Sequence, residues 1–168
     1  MTTTITDLDD FKALDPFFRI IEKGLDGIAD GGHFFDLLAE DVIFDYIHVA
    51  LPRSKILAYR RSGLAILRRH GVRPIGFGVW TQPELVSLEV LRSVGADRSA
   101  ARTAVASAVD EIIRRALSLG GSMEYVHGVG VKLAHLMADE LGTGLAVARR
   151  VKTALDPAGI LNPGKLGL

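Results

Sequence analysis

Apolar residues recur along this chain with two different periods. Phe11, Leu14, Phe17, Phe18, Ile21, Leu25 and Ile28 return every three or four positions, the spacing of one face of an α-helix. Asp7, Asp9 or Asp10 can cap that helix. Alternatively it starts later, with Asp15 as cap and Pro16 in the first position, where no amide donor is needed. Gly31-Gly32 ends it, and a short second helix is expected over 33–38. At Val42 the period changes. The run Val42-Ile-Phe-Asp-Tyr-Ile-His-Val-Ala-Leu51 is β-branched and aromatic with partial alternation, and Pro52 closes it, which predicts a strand.

Ser54 can cap a helix through His70 with Ile56, Leu57, Leu64 and Leu67 on its apolar side, ended by Gly71. Two strands follow, over 72–81 and 85–91, joined at Gln82-Pro83-Glu84 as a hairpin. Gly76 and Gly78 inside the first of them suggest a bulge or a close approach of backbone. The longest helix is predicted over 98–119, with Val105, Val109, Ile112, Ile113, Ala116 and Leu117 as its stripe and Gly120-Gly121 as its stop. A short strand over 122–125, a glycine-containing turn over 127–130, helices over 132–141 and 145–155 and an irregular tail complete the chain. From residue 45 the order of elements predicts an α+β fold, an antiparallel sheet covered by helices on one face, with a helical N-terminal extension.

Composition narrows the function classes. Twenty basic residues balance twenty acidic ones, so the chain carries no electrostatic footprint for nucleic acid or an anionic membrane surface. The arginine pairs 60/61, 68/69 and 149/150 fall at helical spacing and read as solvated faces. Cysteine is absent, which removes disulfides, thiolate metal sites and cysteine nucleophiles together. The first ten residues lack the basic and apolar regions of a signal peptide, and no apolar run reaches membrane-spanning length. A soluble, cytoplasmic protein is expected.

Several motifs imitate chemistry they lack. Gly159-Ile-Leu-Asn-Pro-Gly-Lys165 matches the opening of a phosphate-binding loop, but Leu166 stands where magnesium needs a hydroxyl and Pro163 removes an amide donor. Glu124 and His127 have the spacing of helical metal ligands, yet glycines follow at once and no second pair exists, so no metal is expected. Asp110-Glu111 and Asp139-Glu140 read as solvated helix faces. Gly128-Val-Gly130 is only part of a dinucleotide fingerprint.

Two segments are more specific: Gly120-Gly-Ser-Met-Glu-Tyr-Val-His-Gly-Val-Gly130, and Leu155-Asp-Pro-Ala-Gly-Ile-Leu-Asn-Pro-Gly-Lys165. In this order and spacing they resemble the end of FAD-linked oxidases of the vanillyl-alcohol oxidase superfamily, the glycolate oxidase, D-lactate dehydrogenase and alkyl-dihydroxyacetone-phosphate synthase group. From the residues alone, Gly128 and Gly130 allow backbone to approach a planar ligand, and His127 can exchange a proton near neutral pH. Glu124 and Tyr125 add polar groups. The resemblance implies a catalytic place for His127, beside the flavin ring and substrate, with Glu124 and Tyr125 around it. It implies flavin contacts for Gly128, Gly130 and Asn162, with Lys165 as a weaker candidate, and a substrate-facing place for His48. Many relatives carry Glu or His just before the motif histidine, where this chain has Val126.

The resemblance also implies FAD as cofactor and a ferredoxin-like cap domain over 45–168. Such relatives hold FAD mainly through a separate N-terminal domain, and nothing before Asp45 resembles one. Instead, residues 1–44 resemble the opening of a SnoaL-like domain, cut short. The expected function is therefore the substrate or cap domain of an FAD-dependent oxidoreductase acting on a hydroxy acid or alcohol. It is expected to be inactive without a flavin-domain partner chain. The alternatives are a small SnoaL-like isomerase, cyclase or ligand-binding protein, and a non-catalytic α+β module that forms a homodimer.

Overall fold

The computed structural model describes residues 42–168 apart from 81, 83 and 125. The helices expected over residues 11–38, and with them most of the SnoaL-like segment, lie outside the described residues. The described chain runs β1 (Val42–Ala50), α1 (Ile56–Arg69), β2 (Arg73–Val79), β3 (Leu85–Ser93), α2 (Arg98–Ser118), β4 (Ser122–Met123), α3 (Met137–Leu141) and α4 (Gly144–Leu155). Its four strands form one antiparallel sheet in the order β2-β3-β1-β4. This is the ferredoxin-like arrangement, β-α-β-β-α-β with the first and third strands central. No helix among the described residues is long and apolar enough to cross a membrane.

Strand alternation divides the sheet into two faces. Ile47 and Val49 on β1 lie opposite Leu88 and Val86 on β3, and all four are buried. They join Tyr59 and Leu67 of α1 and Val105, Ile112 and Ile113 of α2 in one core. Each fully buried Val, Leu or Ile contributes roughly 1.5–3 kcal/mol, so this layer carries most of the stability. The helices α1 and α2 pack side by side over it. Arg60, Arg61, Arg68 and Arg69 stay exposed on α1, as its spacing predicts, and the Arg60 guanidinium stands 5.7 Å from the Phe77 ring centroid.

Two details of α1 depart from the sequence expectation, and the helix expected over 132–141 is α-helical only over Met137–Leu141. Ser54 makes no cap; it sits in a 3-10 turn (Arg53–Lys55), and the α-helix starts after it without a side-chain capping bond. The buried stripe of α1 is Ile56, Tyr59, Gly63, Ile66 and Leu67, whereas Leu57 is 68% exposed. The helix is turned by part of a residue step, because the ring of Tyr59 offers more area to bury than Leu57 does. In α2, by contrast, Asp97 caps the helix by accepting from the Ala100 amide at 3.0 Å, worth about 1 kcal/mol. Its far end closes as a Schellman turn: the Gly120 amide donates to Leu117 and the Gly121 amide to Ala116, with Gly120 at φ +79°.

The acidic pairs expected to be solvated are partly exposed but engaged. Glu111 bonds Arg69 and His70, Asp110 bonds His135, Asp139 bonds Arg114, and Glu140 accepts from Ser122 and from the Met123 amide. The last of these ties α3 to β4. The tail returns to the same region: the Leu166 amide donates to Gly130 and Arg149 donates to the Gly167 carbonyl.

Candidate active site

The face of the sheet opposite the helices carries the polar chemistry. With Ile47 and Val49 turned to the core, period two places Tyr46 and His48 on the other side, opposite Glu89 and Ser87 of β3. The β2 glycines make room there. A Cβ at Gly76 would stand 2.7 Å from a Glu89 carboxylate oxygen, and one at Gly78 would stand 2.8 Å from the Ser87 hydroxyl. Glycine inside this strand therefore serves the side chains of its neighbour, and the register shift expected from it falls between Pro74 and Gly76.

The third contributor arrives from β4. Beyond Met123 the Glu124 amide donates to the His48 carbonyl at 2.8 Å, and Glu124 itself adopts φ +51°. A left-handed backbone at a glutamate is uncommon and costs energy. Here it turns the chain sharply and keeps the carboxylate beside β1. One oxygen of Glu124 accepts the His127 amide at 3.1 Å, lies 3.4 Å from His48 Nδ1 and lies 3.7 Å from His127 Nδ1. His48 and Glu124 are buried, with side chains 5% and 7% exposed, while His127 is 63% exposed. The two imidazole rings meet edge to face at 4.9 Å, and Tyr46 stacks on His48 at 5.8 Å with 10° between the planes.

These groups open onto a hollow of about 590 Å³ lined by Tyr46, His48, Trp80, Leu85, Glu89, Val126 and His127. Burial, together with the negative charge of Glu89, holds the Tyr46 phenol above its ordinary pKa. One carboxylate facing two imidazoles can orient a histidine and balance the charge it gains on taking a proton. The ligating atoms of His48, Glu124 and His127 also lie within 4.8 Å of one another, a donor set that a divalent cation could use.

Of the residues expected from sequence, the structure brings His48, Glu124 and His127 together. Gly128 and Gly130 follow directly, at φ +75° and +57°, with nothing within 4 Å of where a Cβ would stand. Tyr125 lies outside the described residues. Asn162 does not line the hollow; it sits exposed in the tail at φ +47°, its carbonyl accepting from the Lys165 amide. Sequence reasoning did not single out Tyr46, Trp80 and Glu89. The first and last were findable by counting alternate positions outward from His48 and across the hairpin. Nothing along the chain marks His48 as a neighbour of Glu124, since 76 positions separate them and only strand pairing joins them.

Comparison with known proteins places the chain among oxidase domains. The family described as FAD linked oxidases, C-terminal domain, matches residues 34–166. Mitochondrial D-lactate dehydrogenase (cytochrome) 1 of Saccharomyces cerevisiae is 37% identical over 59 residues, 34% of this chain and 10% of that protein. An FAD-linked oxidoreductase of Mycobacterium tuberculosis is 42% identical over 55 residues, 32% of this chain and 12% of that protein. The glycolate oxidase subunit GlcD of Bacillus subtilis is 40% identical over 63 residues, 37% of this chain and 13% of that protein. The aligned part is thus between about a tenth and an eighth of these relatives' length. Among solved structures, a C-terminal segment of the alpha subunit of aIF2 from Pyrococcus abyssi aligns with TM-score 0.34 at 16% identity, over 64% of this chain and 70% of that one, too loosely to argue from.

Proposed function

The chain belongs to the family of FAD-linked oxidase C-terminal domains, and from that membership we propose that it is the substrate-side domain of an FAD-dependent oxidoreductase acting on a hydroxy acid or an alcohol. Such a domain works together with a flavin-binding domain, and without one it is inactive. The observation that carries the reading is the His48–Glu124–His127 cluster at the mouth of an open hollow. The cysteine-free composition suits a reducing compartment such as the cytoplasm.

The residues present fit the ring end of a flavin. The backbone at Gly128 and Gly130 is bare where side chains would otherwise stand, which leaves room for a flat group to approach. Among the described residues no glycine turn leads from a strand into a helix to cradle a diphosphate. The nucleotide end therefore needs the other domain. FAD, when bound, accepts the hydride that an alcohol loses on oxidation.

The chain's own part is to hold the substrate and take its proton. Glu124 faces His127 Nδ1 at 3.7 Å, so the exposed ring presents Nε2 to a substrate hydroxyl. The carboxylate then stabilises the imidazolium that forms, as the acid of a catalytic pair does. His48, buried and held between Tyr46 and Glu124, fixes the floor on which Glu124 rests.

Titration of the purified chain with FAD, followed by flavin fluorescence and the visible spectrum, tests this reading. Only weak binding, through the ring end of the flavin, is expected of this chain by itself, and His127→Ala should weaken it about tenfold, the loss of one contact worth about 1.4 kcal/mol. Coexpression with a flavin-domain protein is expected to give a yellow complex. Separate colourless chains, and no FAD binding at high micromolar concentration, would sink the reading.

A further inference from the structure

We propose that Glu89, Tyr46 and Trp80 form a subsite for an organic ammonium group, so that the alcohol this face accepts carries a cationic nitrogen. The inference rests on the hollow being the substrate face, as above.

Glu89 is half-buried and lines the hollow from the middle of β3. Tyr46 of β1 lies directly opposite it on one side and Gly76 of β2 on the other. Side chains opposite one another on one face stand about 5 Å apart at Cβ, so the Tyr46 ring is the carboxylate's immediate neighbour. On the β2 side no side chain intervenes. A Glu89 carboxylate oxygen occupies the space a Cβ of Gly76 would need, and the buried Ser87 hydroxyl does the same at Gly78. Phe77, between the two glycines, packs against the core from the other face. Glycine at alternate positions of β2 thus lets two oxygen-bearing side chains of β3 lie across bare backbone, and the Glu89 charge is held at a defined place in the hollow.

A charge there calls for a partner. Among the described residues no hydrogen bond or ion pair engages the Glu89 side chain. A half-buried carboxylate without a counter-charge has lost part of its hydration, and a cation entering the hollow restores that stabilisation.

The aromatic walls suit the same guest. Ring faces attract a cation within about 6 Å of their centroid. The Tyr46 ring is fixed before any ligand arrives, edge to face on Phe44 at 4.5 Å and stacked on His48. Trp80 follows Gly78 on the same face, anchored by its amide to the Leu85 carbonyl at 3.0 Å, and keeps 54% of its surface exposed. An alkylammonium group uses both kinds of wall, the carboxylate for its charge and the rings for its polarised methyl or methylene surface. A neutral alcohol of the same shape gains only the rings.

The chain holds a single tryptophan, and it lines the hollow, so Trp80 emission reports occupancy. Choline and 3,3-dimethyl-1-butanol share their shape and their hydroxyl and differ in the charge on the central atom. With EDTA present to remove divalent cations, choline is expected to change Trp80 emission and to bind about tenfold or more tightly than the neutral alcohol at low ionic strength. Added salt should narrow that ratio. Glu89→Gln should lower choline affinity about tenfold and leave the neutral alcohol within about twofold. Gly76→Ala keeps the charge but pushes the carboxylate aside, and should weaken choline in the same sense. Equal binding of the two alcohols, or a preference unmoved by either substitution, would overturn the subsite while leaving the domain's role intact. Neither alcohol binding while FAD still does would have the same meaning. If FAD also fails to bind, the subsite and the functional reading fall together.

Discussion

Gly121 tests the packing that delivers Glu124 to the site. It directly precedes β4 and sits between the end of α2 and the end of β1. A Cβ there would stand 2.6 Å from the Ala50 carbonyl oxygen, 2.9 Å from that of Ala116 and 2.8 Å from a Leu51 methyl. The methyl can rotate away, but the two backbone oxygens cannot, so in Gly121→Ala either β4 or the helix end must shift. Overpacking of this kind costs about 1–3 kcal/mol. The stiffer unfolded chain returns about 0.4–1 kcal/mol, leaving a net loss of roughly 1–2 kcal/mol. For a chain of this size that lowers the thermal midpoint by roughly 2–8 °C. Circular dichroism melting of Gly121→Ala beside Gly128→Ala is the appropriate assay. At Gly128 the space is open but φ is +75°, so its substitution loads the backbone without pushing β4. Gly121→Ala should also reduce FAD affinity by moving Glu124. A Gly121→Ala protein melting at or above the wild type would refute the reasoning, because the two carbonyl contacts could not then be as close as described.

Two further outcomes are expected. Tyr59 is fully buried, its hydroxyl has no hydrogen-bond partner among the described residues, and burial raises its pKa. Tyr59→Phe should therefore be neutral or stabilising by up to about 2 kcal/mol in urea unfolding, since it removes a desolvated polar group; a clear loss would reveal a partner for the hydroxyl. Glu111 has its pKa lowered by the Arg69 hydrogen bond first and by His70 second. A carboxyl lowered on folding contributes stability that is complete above the ordinary carboxylate range and is lost as pH falls through the folded value. The urea midpoint of the wild type should thus fall from about pH 4 downward, and Glu111→Gln should flatten that limb, whereas an unchanged slope would contradict the pairing.

The sheet and its two covering helices were legible from the sequence because their signals are local. β1 is predicted over 42–51 and found at Val42–Ala50, and α2 is predicted over 98–119 and found at Arg98–Ser118. Glycine pairs and prolines mark those boundaries chemically. The phase of α1 was less legible. Leu57 and Ile56 are equally apolar, and only the phase of the whole helix, with Tyr59, Ile66 and Leu67 turned to the core, decides which one is buried. The site shows the same contrast. Glu124, His127 and the two glycines lie within seven positions and announce themselves as a motif, whereas Glu89 and Trp80 reach the hollow only through the register of the hairpin with β1. Pairing partners distant in sequence are set by which faces bury best against the helices, a property of the whole sheet rather than of any window along the chain.

The borders of the sheet also bear on how the molecule behaves among its own copies. Exposed strand rims invite neighbouring polypeptides to add rungs, and proteins blunt such rims with shortness, proline or irregularity. Both rims of the described sheet carry these features. β4 has only two residues to offer, and β2 brings Pro74, which lacks a donor, next to a shift of register before Gly76. A domain can thus present one face of its sheet to small molecules or to a partner protein without that face continuing into a ribbon of like strands. Concentrated solutions should favour docking face to face over growth edge to edge.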